Sequence, residues 1–275
     1  MFFEKESLAK KENGGRSKGR KGGRSETESV KNMELRIMTY NIQHGEDHAL
    51  RLAEHRAVID LEKTADTVRR VGADICALNE VRGKGLTEEY TEQVQAIGAS
   101  LGFYGVFGRS ILVGGTEPYG NAMVSRFPIE SAEVIPIPDP VIGGKVPHGV
   151  ESRSILRCTF SFADGKKLTV LSSHFGLSDA ERKNAVALCE KLLDSEKTPT
   201  VLLGDFNAVP TDAVLSPLFR KYKSAEDSSV CTFPTEKPSS RIDYIFLNDK
   251  IELLNSGIGK DSASDHLPVW ADIRF

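Results

Sequence analysis

No apolar run in the 275-residue chain approaches the roughly 20 residues that a membrane-spanning helix needs. Stretches such as Val201-Leu202-Leu203 are interrupted within a few positions, so a helical membrane protein is excluded. No export signal is visible either, since MFFEKESLAKK sets Glu4 before its basic residues and no apolar segment follows, and export is not expected. The expectation is a cytoplasmic protein. Cysteine is scarce, with Cys76, Cys158, Cys189 and Cys231 forming no CxxC pair and three of them inside the apolar runs ICAL, LRCTF and VALCEKLL. That pattern does not support a cysteine zinc cluster and predicts reduced thiols. Bulk positive charge is absent as well, the net charge being −3. Residues 1–32 carry nine Lys/Arg against five Glu, and the rest of the chain 27 basic against 34 acidic residues. An acidic body does not grip a phosphate backbone through its overall field, so any nucleic-acid contact must come from a local patch or a bound cation.

What is present is ordinary globular material, 39% apolar and 27% charged with 24 Gly and 12 Pro. Residues 1–32 include GGRSKGRKGGRSE and have almost nothing apolar after Leu8, so they bury too little surface to offset the entropy of ordering. They are read as a disordered basic tail. A solvated tail, or a leader upstream of a start at Met33, is preferred over a nucleic-acid-binding arm. Residues 33–275 form the expected domain. Within it RIMTYN, ADICALNE, NAMVSRF, SILRCTFSF, LTVLSSHF, TVLLGDFN, RIDYIFL and PVWADIRF have strand length and β-branched or aromatic content. Asp60–Val71 places Leu61, Thr64, Ala65 and Val68 on one helical face, and Ser178 with Glu181 forms a capping box opening a helix through Leu193. The turn Ala163-Asp164-Gly165-Lys166 joins two strands directly while helices join others, which favours a mixed sheet. Gly-, Pro- or Ser-rich segments at 108–120, 139–152 and 224–240 read as long, functional loops.

Polar residues stand at the ends of the apolar strands, where a sheet delivers side chains to a cleft. Asn41 ends RIMTYN, Glu80 ends ICALNE, His174 ends LTVLSSH, and Asp205 and Asn207 end TVLLGDFN. Asp243 lies inside RIDYIF, and Asp265 and His266 directly precede the last strand. Singly, these residues read as turn formers or caps; as a set after buried strands they read as a site. Hard oxygen ligands without paired Cys or closely spaced His suit Mg²⁺ or Mn²⁺, with Glu80 the first choice of ligand. His174, Asn207 and the ion would neutralise charge on a phosphoester, and His266, oriented by a carboxylate such as Asp243, is the candidate base. His44, His48, His55 and His148 lack such placement and read as surface or loop residues.

The ordered blocks TYNIQHG, LNEVRG, YGNAMVSRFPI, ESR, SSHFG, GDFNA, TFPTEKPSSRIDYIF and SDHLPV resemble the endonuclease/exonuclease/phosphatase superfamily, the metal-dependent phosphoesterases that include deoxyribonuclease I. The resemblance runs from Leu35 to the C-terminus. It implies an α/β (α+β) fold, a four-layer α/β/β/α sandwich of two mixed, mainly antiparallel sheets with the cleft at one end. It also implies that Asn41, Glu80 and Asp265 hold the Mg²⁺ or Mn²⁺. Asp205 and Asn207 would then orient nucleophile and phosphate, His266 would pair with Asp243, and His174 would contact the scissile phosphate. Either His266 or Asp205 serves as base in such schemes, with one metal or two. Arg82, Asn121 and Arg153 are the implied substrate-side residues. Asn79 stands where the family usually has Gln. The expected activity is hydrolysis of a phosphodiester, with nucleic acid among the candidate substrates. The rivals are a phosphatase or phospholipase-like hydrolase of a phosphorylated small molecule or lipid headgroup, and a non-catalytic binding protein on the same fold. A monomer is the default expectation.

Overall fold

The computed structural model describes residues 32–225, 230–260 and 262–275. The expected basic tail thus lies outside the described residues except for Asn32. In chain order the elements are β1 (Glu34–Asn41), α1 (His48–Glu54), α2 (Leu61–Val71), β2 (Ile75–Arg82), α3 (Gln93–Leu101), β3 (Tyr104–Val113), β4 (Glu117–Ser125) and β5 (Ile129–Pro136). They continue with β6 (Ser154–Ser161), β7 (Lys167–His174), α4 (Asp179–Ser195), β8 (Thr200–Asp205), α5 (Ser216–Lys221), β9 (Lys223–Ser224), β10 (Asp243–Leu247), β11 (Glu252–Ile258) and β12 (Val269–Arg274). Asp60 caps α2 through Lys63 N, and the Ser178–Glu181 capping box opens α4, as the sequence signals predict.

Two six-stranded sheets result, ordered β11-β12-β1-β2-β4-β3 and β5-β6-β7-β8-β10-β9. Each is antiparallel except for one parallel pair, β1 with β2 and β7 with β8. A parallel pair needs a crossover, supplied by α2 in the first sheet and α4 in the second. Alternation along the strands then assigns the layers. Ile37, Ala77, Val170, Leu203, Ile245 and Val269 meet between the sheets. Met38, Tyr40, Cys76 and Leu78 face α2 and α3, while Leu171, Leu202, Tyr244 and Phe246 face α4 and α5. The result is the four-layer α/β/β/α sandwich that the resemblance implies. At roughly 1.5 to 3 kcal/mol for each large side chain fully buried, the intersheet layer is a principal source of stability.

The segment 108–120 is not a loop. β3 and β4 form a hairpin through it, turning only at Gly114 and Gly115 (φ 59° and 82°). Its glycines serve close packing instead: a Cβ on Gly120 would lie 2.2 Å from the Gly108 carbonyl, opposite a bulge at Arg109/Ile111. The segment 139–152 and the described residues of 224–240 do run largely without regular structure, the first pinched by a bridge between Ile142 and Lys145.

Candidate active site

The same alternation that builds the intersheet core aims the polar strand ends. Asn41 follows Ile37 on one face of β1, His174 follows Val170 on β7, and Asp205 follows Leu203 on β8. Asp243 sits opposite Asp205 across β10 and β8. The antiparallel β12 starts at the same end, which brings Asp265 and His266 there. Glu80 breaks the rule, because alternation with Cys76 and Leu78 would send it toward the helices. A register shift between Leu78 and Val81, with φ 59° at Glu80, turns it back into the cleft. Asn207 has φ 48°, and strained backbone of this kind concentrates at functional sites.

Asp205 is the hub. Its Oδ2 accepts from Asn41 Nδ2 at 3.1 Å and lies 3.5 Å from His174 Nε2 and 3.7 Å from His266 Nε2. Its Oδ1 accepts from Asn207 N at 2.9 Å. Asp205 and Asp243 are each 1% exposed, His266 5% and His174 7%, so little solvent screens these charges. Asp243 Oδ2 accepts from His266 Nδ1 at 2.9 Å and from Thr232 Oγ1 at 2.6 Å. Burial opposes a charged His266, but the carboxylates of Asp243 and Asp205 outweigh it and raise the imidazole above its ordinary range. Burial raises Asp205, partly countered by His266. His174 behaves oppositely: burial, then the charges of Arg153, His266 and His44, hold it well below the usual imidazole value. The two imidazoles are thus pushed in opposite directions, His266 toward its charged form and His174 toward its neutral one. Arg153 Nη1 donates to His174 Nδ1 at 3.2 Å, and Asn207 Nδ2 lies 3.0 Å from Nε2 while donating to the Phe175 carbonyl. Both neighbours can only donate and a neutral ring accepts at one nitrogen only, so N–H groups here exceed the acceptors offered to them.

On the other side, Asn41 Nδ2 donates to Glu80 Oε1 at 3.0 Å. Asp265 is half-buried and raised in pKa, by burial first and, against the His266 charge, by the charge of Glu80. Neither acid meets a Lys or Arg among the described residues. An amide and two carboxylates with no sulfur donor suit a hard divalent cation. Asp205, Asp243 and His266 also cluster within 4.8 Å of one another, but there Asp243 Oδ2, His266 Nδ1 and Asp205 Oδ2 are already engaged in hydrogen bonds, while Asp243 Oδ1 is buried without a partner.

Two expected substrate contacts are engaged by protein partners. Asn121 is buried, with its Oδ1 accepting from Asn79 Nδ2 at 2.8 Å and its Nδ2 donating to the Ser154 carbonyl at 3.0 Å; both ends of its amide are spent beneath the cleft. Arg82 lies over the Tyr90 ring at 4.9 Å and faces Glu89 at 3.9 Å, committed to the loop after β2. Asn79 bonds the Ser173 carbonyl and accepts from Asp205 N, tying the two sheets together under the site. His44 departs from the surface reading, with Nδ1 3.7 Å from Glu80 Oε2 and its ring edge-on to Tyr119; its position three residues past Asn41 was the available signal. Thr232 and Tyr40 also escaped the sequence reading. The Tyr40 hydroxyl accepts from Ala263 N and Ser264 N and fixes the loop that carries Asp265.

Solved structures share this architecture. An endonuclease/exonuclease/phosphatase from Beutenbergia cavernae DSM 12333 matches with TM-score 0.73 and 23% identity over 88% of this chain and 72% of that one. A family protein from Bacteroides thetaiotaomicron matches with TM-score 0.69 and 19% identity over 89% and 98%. A mannosyl-6-phosphatase from Bacteroides thetaiotaomicron VPI-5482 matches with TM-score 0.68 and 19% identity over 88% and 100%. No curated protein matches by sequence. The sequence pattern described as the Endonuclease/Exonuclease/phosphatase family matches residues 38–266, and the chain belongs to that family.

Proposed function

We propose that the chain is a divalent-cation-dependent hydrolase of phosphoesters. The carrying observation is the division of the cleft into uncompensated carboxylates at Glu80 and Asp265 and an excess of N–H donors at His174, Asn207 and Arg153. A phosphoryl group with a cation complements both. Asn41, Glu80 and Asp265 would hold Mg²⁺ or Mn²⁺, which when bound supplies positive charge against the phosphoryl oxygens. His174 and Asn207 donate to non-bridging oxygens as negative charge builds on them. Asp205 Oδ2, where two imidazoles and an amide converge, takes the proton of the attacking water. His266, anchored through Nδ1 to Asp243, holds Asp205 in place and balances its charge.

A phosphodiester is the first reading of the substrate. A phosphomonoester of a small molecule is the second, favoured by three observations. Arg82 is committed to Tyr90 and Glu89; loops at the cleft end expose the apolar side chains of Leu86, Val141, Ile142 and Leu177; and the resemblance to the mannosyl-6-phosphatase spans that protein's full length. The test is turnover of bis-p-nitrophenyl phosphate, p-nitrophenyl phosphate, a hexose 6-phosphate, plasmid DNA, RNA and a phospholipid, with Mg²⁺, Mn²⁺ or chelator. Metal-dependent diester cleavage supports the first reading and monoester turnover alone the second. Inertness toward every substrate with both metals would overturn the proposal.

A further inference from the structure

Beyond Asn41 the backbone runs through three consecutive left-handed residues, Gln43 (φ 47°), His44 (φ 60°) and Gly45 (φ 75°). Two of these carry side chains that disfavour such a conformation. The turn is nevertheless fixed at every point. Gln43 N donates to Asn41 Oδ1 at 3.1 Å, Gly45 N to the Ile42 carbonyl at 2.8 Å, and Asp60 N to the Gly45 carbonyl at 2.8 Å. The Gln93 amide donates to the His44 carbonyl. A Cβ on Gly45 would lie 2.4 Å from Leu61 Cδ2, and its φ of 75° favours glycine there. Strain held this firmly calls for a reason, and its visible effect is to place the His44 imidazole against Glu80.

Nδ1 of His44 lies 3.7 Å from Glu80 Oε2, is shielded from solvent, and makes no hydrogen bond. Its neighbour His48 differs, with Nδ1 on Gln43 Oε1 at 3.1 Å and Nε2 on Glu236. A separation of 3.7 Å is too long for a hydrogen bond. It leaves a buried, unpartnered imidazole nitrogen and a carboxylate oxygen side by side without bonding each other, an arrangement open to convergence of both on one cation. We propose that His44 Nδ1 is a nitrogen ligand of the cation held by Asn41, Glu80 and Asp265, and that it turns the site toward Mn²⁺ over Mg²⁺. An imidazole adds a softer donor to the oxygen set, and Mg²⁺, which favours oxygen, gains less from it than a first-row transition ion does. This inference rests on the phosphoesterase reading of the cleft.

The test uses the full chain and Mn²⁺ alone. Pulsed electron paramagnetic resonance on the Mn²⁺-loaded protein should show one directly bonded ¹⁴N, and calorimetric titration should give tighter binding of Mn²⁺ than of Mg²⁺. His44→Asn, which tolerates a left-handed backbone, should abolish the ¹⁴N coupling. It should also weaken Mn²⁺ roughly tenfold or more while altering Mg²⁺ far less. His44→Gln provides a second variant, and circular dichroism confirms that both are folded. Absence of ¹⁴N coupling in wild type, its persistence in the variants, or an unchanged Mn²⁺ affinity would each overturn the proposal. If Mg²⁺-dependent turnover survives in that case, only the role of His44 falls; if neither ion binds and no phosphoester turns over, the reading of the cleft falls with it.

Discussion

On the wall of the cleft built by the first sheet, Asn41 and Glu80 stand at the ends of the parallel strands β1 and β2. On the wall built by the second, His174 and Asp205 stand at the ends of the parallel strands β7 and β8. The two walls share one device, a parallel pair whose crossover helix leaves both carboxyl ends facing the same opening. They differ in how far the protein satisfies its own polar groups. The Glu80 side chain is 22% exposed and meets no Lys or Arg among the described residues. Asp205, on the other wall, is almost fully enclosed and contacted by an amide, a backbone N–H and two imidazoles. The first wall leaves its carboxylate without a cationic partner among the described residues, while the second encloses its own in donors; under the proposed function the first would take the cation and the second the proton. His266 joins them, rising from the loop before β12 of the first sheet to bond Asp243 of the second.

If that division is correct, substitutions on the two walls should fail differently. Asp205→Asn and Glu80→Gln should each lower kcat/KM by about 10³-fold or more. Raising Mn²⁺ a hundredfold should restore part of the Glu80→Gln activity and none of the Asp205→Asn activity. Equal rescue of both would erase the distinction. A smaller loss, roughly 10²- to 10³-fold in kcat, is expected for Asp243→Asn, because an amide can present N–H to His266 Nδ1 and favour the wrong tautomer. An Asp243→Asn enzyme with wild-type kcat would show that His266 needs no anchoring from the second wall.

The walls were unequally legible in the sequence, for a physical reason. The second could be read because LTVLSSH and TVLLGD are regular strands, and strict alternation carries the core face straight to His174 and Asp205. Asn41 was legible in the same way. Glu80 was found by its position after ICALN, although alternation would have pointed it at the helices; the bulge that re-aims it leaves no mark in composition. His44 was passed over because its orientation depends on a strained turn held by Gln93 and Asp60, residues distant in sequence. Asn121 and Arg82 were located in the right region, but which way an amide or a long guanidinium turns is decided by partners such as Ser154 and Tyr90. The hairpin at 108–120 was missed because glycines placed for close packing look, in sequence, like glycines placed for a turn. Helix α3 offered only Val94, Ile97 and Leu101 as an apolar stripe, too short a pattern to stand out.

Heat provides a finer comparison. At a Mn²⁺ concentration near 100 times its Kd, binding stabilises the folded state by about 2.7 kcal/mol, or roughly 5–10 °C in Tm for a domain of this size. The shift should be lost in Glu80→Gln and kept in Asp205→Asn. A shift lost only in Asp205→Asn would move the cation to the other wall.

The smallest effect concerns His174. Burial and the Arg153 charge hold its folded pKa far below the unfolded value of about 6.5, so below that pH the unfolded chain binds a proton that the folded one does not. Its contribution to stability is therefore complete above the unfolded pKa and is lost as pH falls, with a slope of at most about 1.4 kcal/mol per pH unit. Between pH 7 and 5.5, urea melts in the presence of chelator should show wild type losing about 1 kcal/mol more stability than His174→Gln, which carries no titrating group at that position. Parallel losses would mean that the folded protein accommodates a charged imidazole there. The second wall would then carry a cation of its own beside Arg153, and the contrast between a wall awaiting positive charge and a wall already complete would not survive.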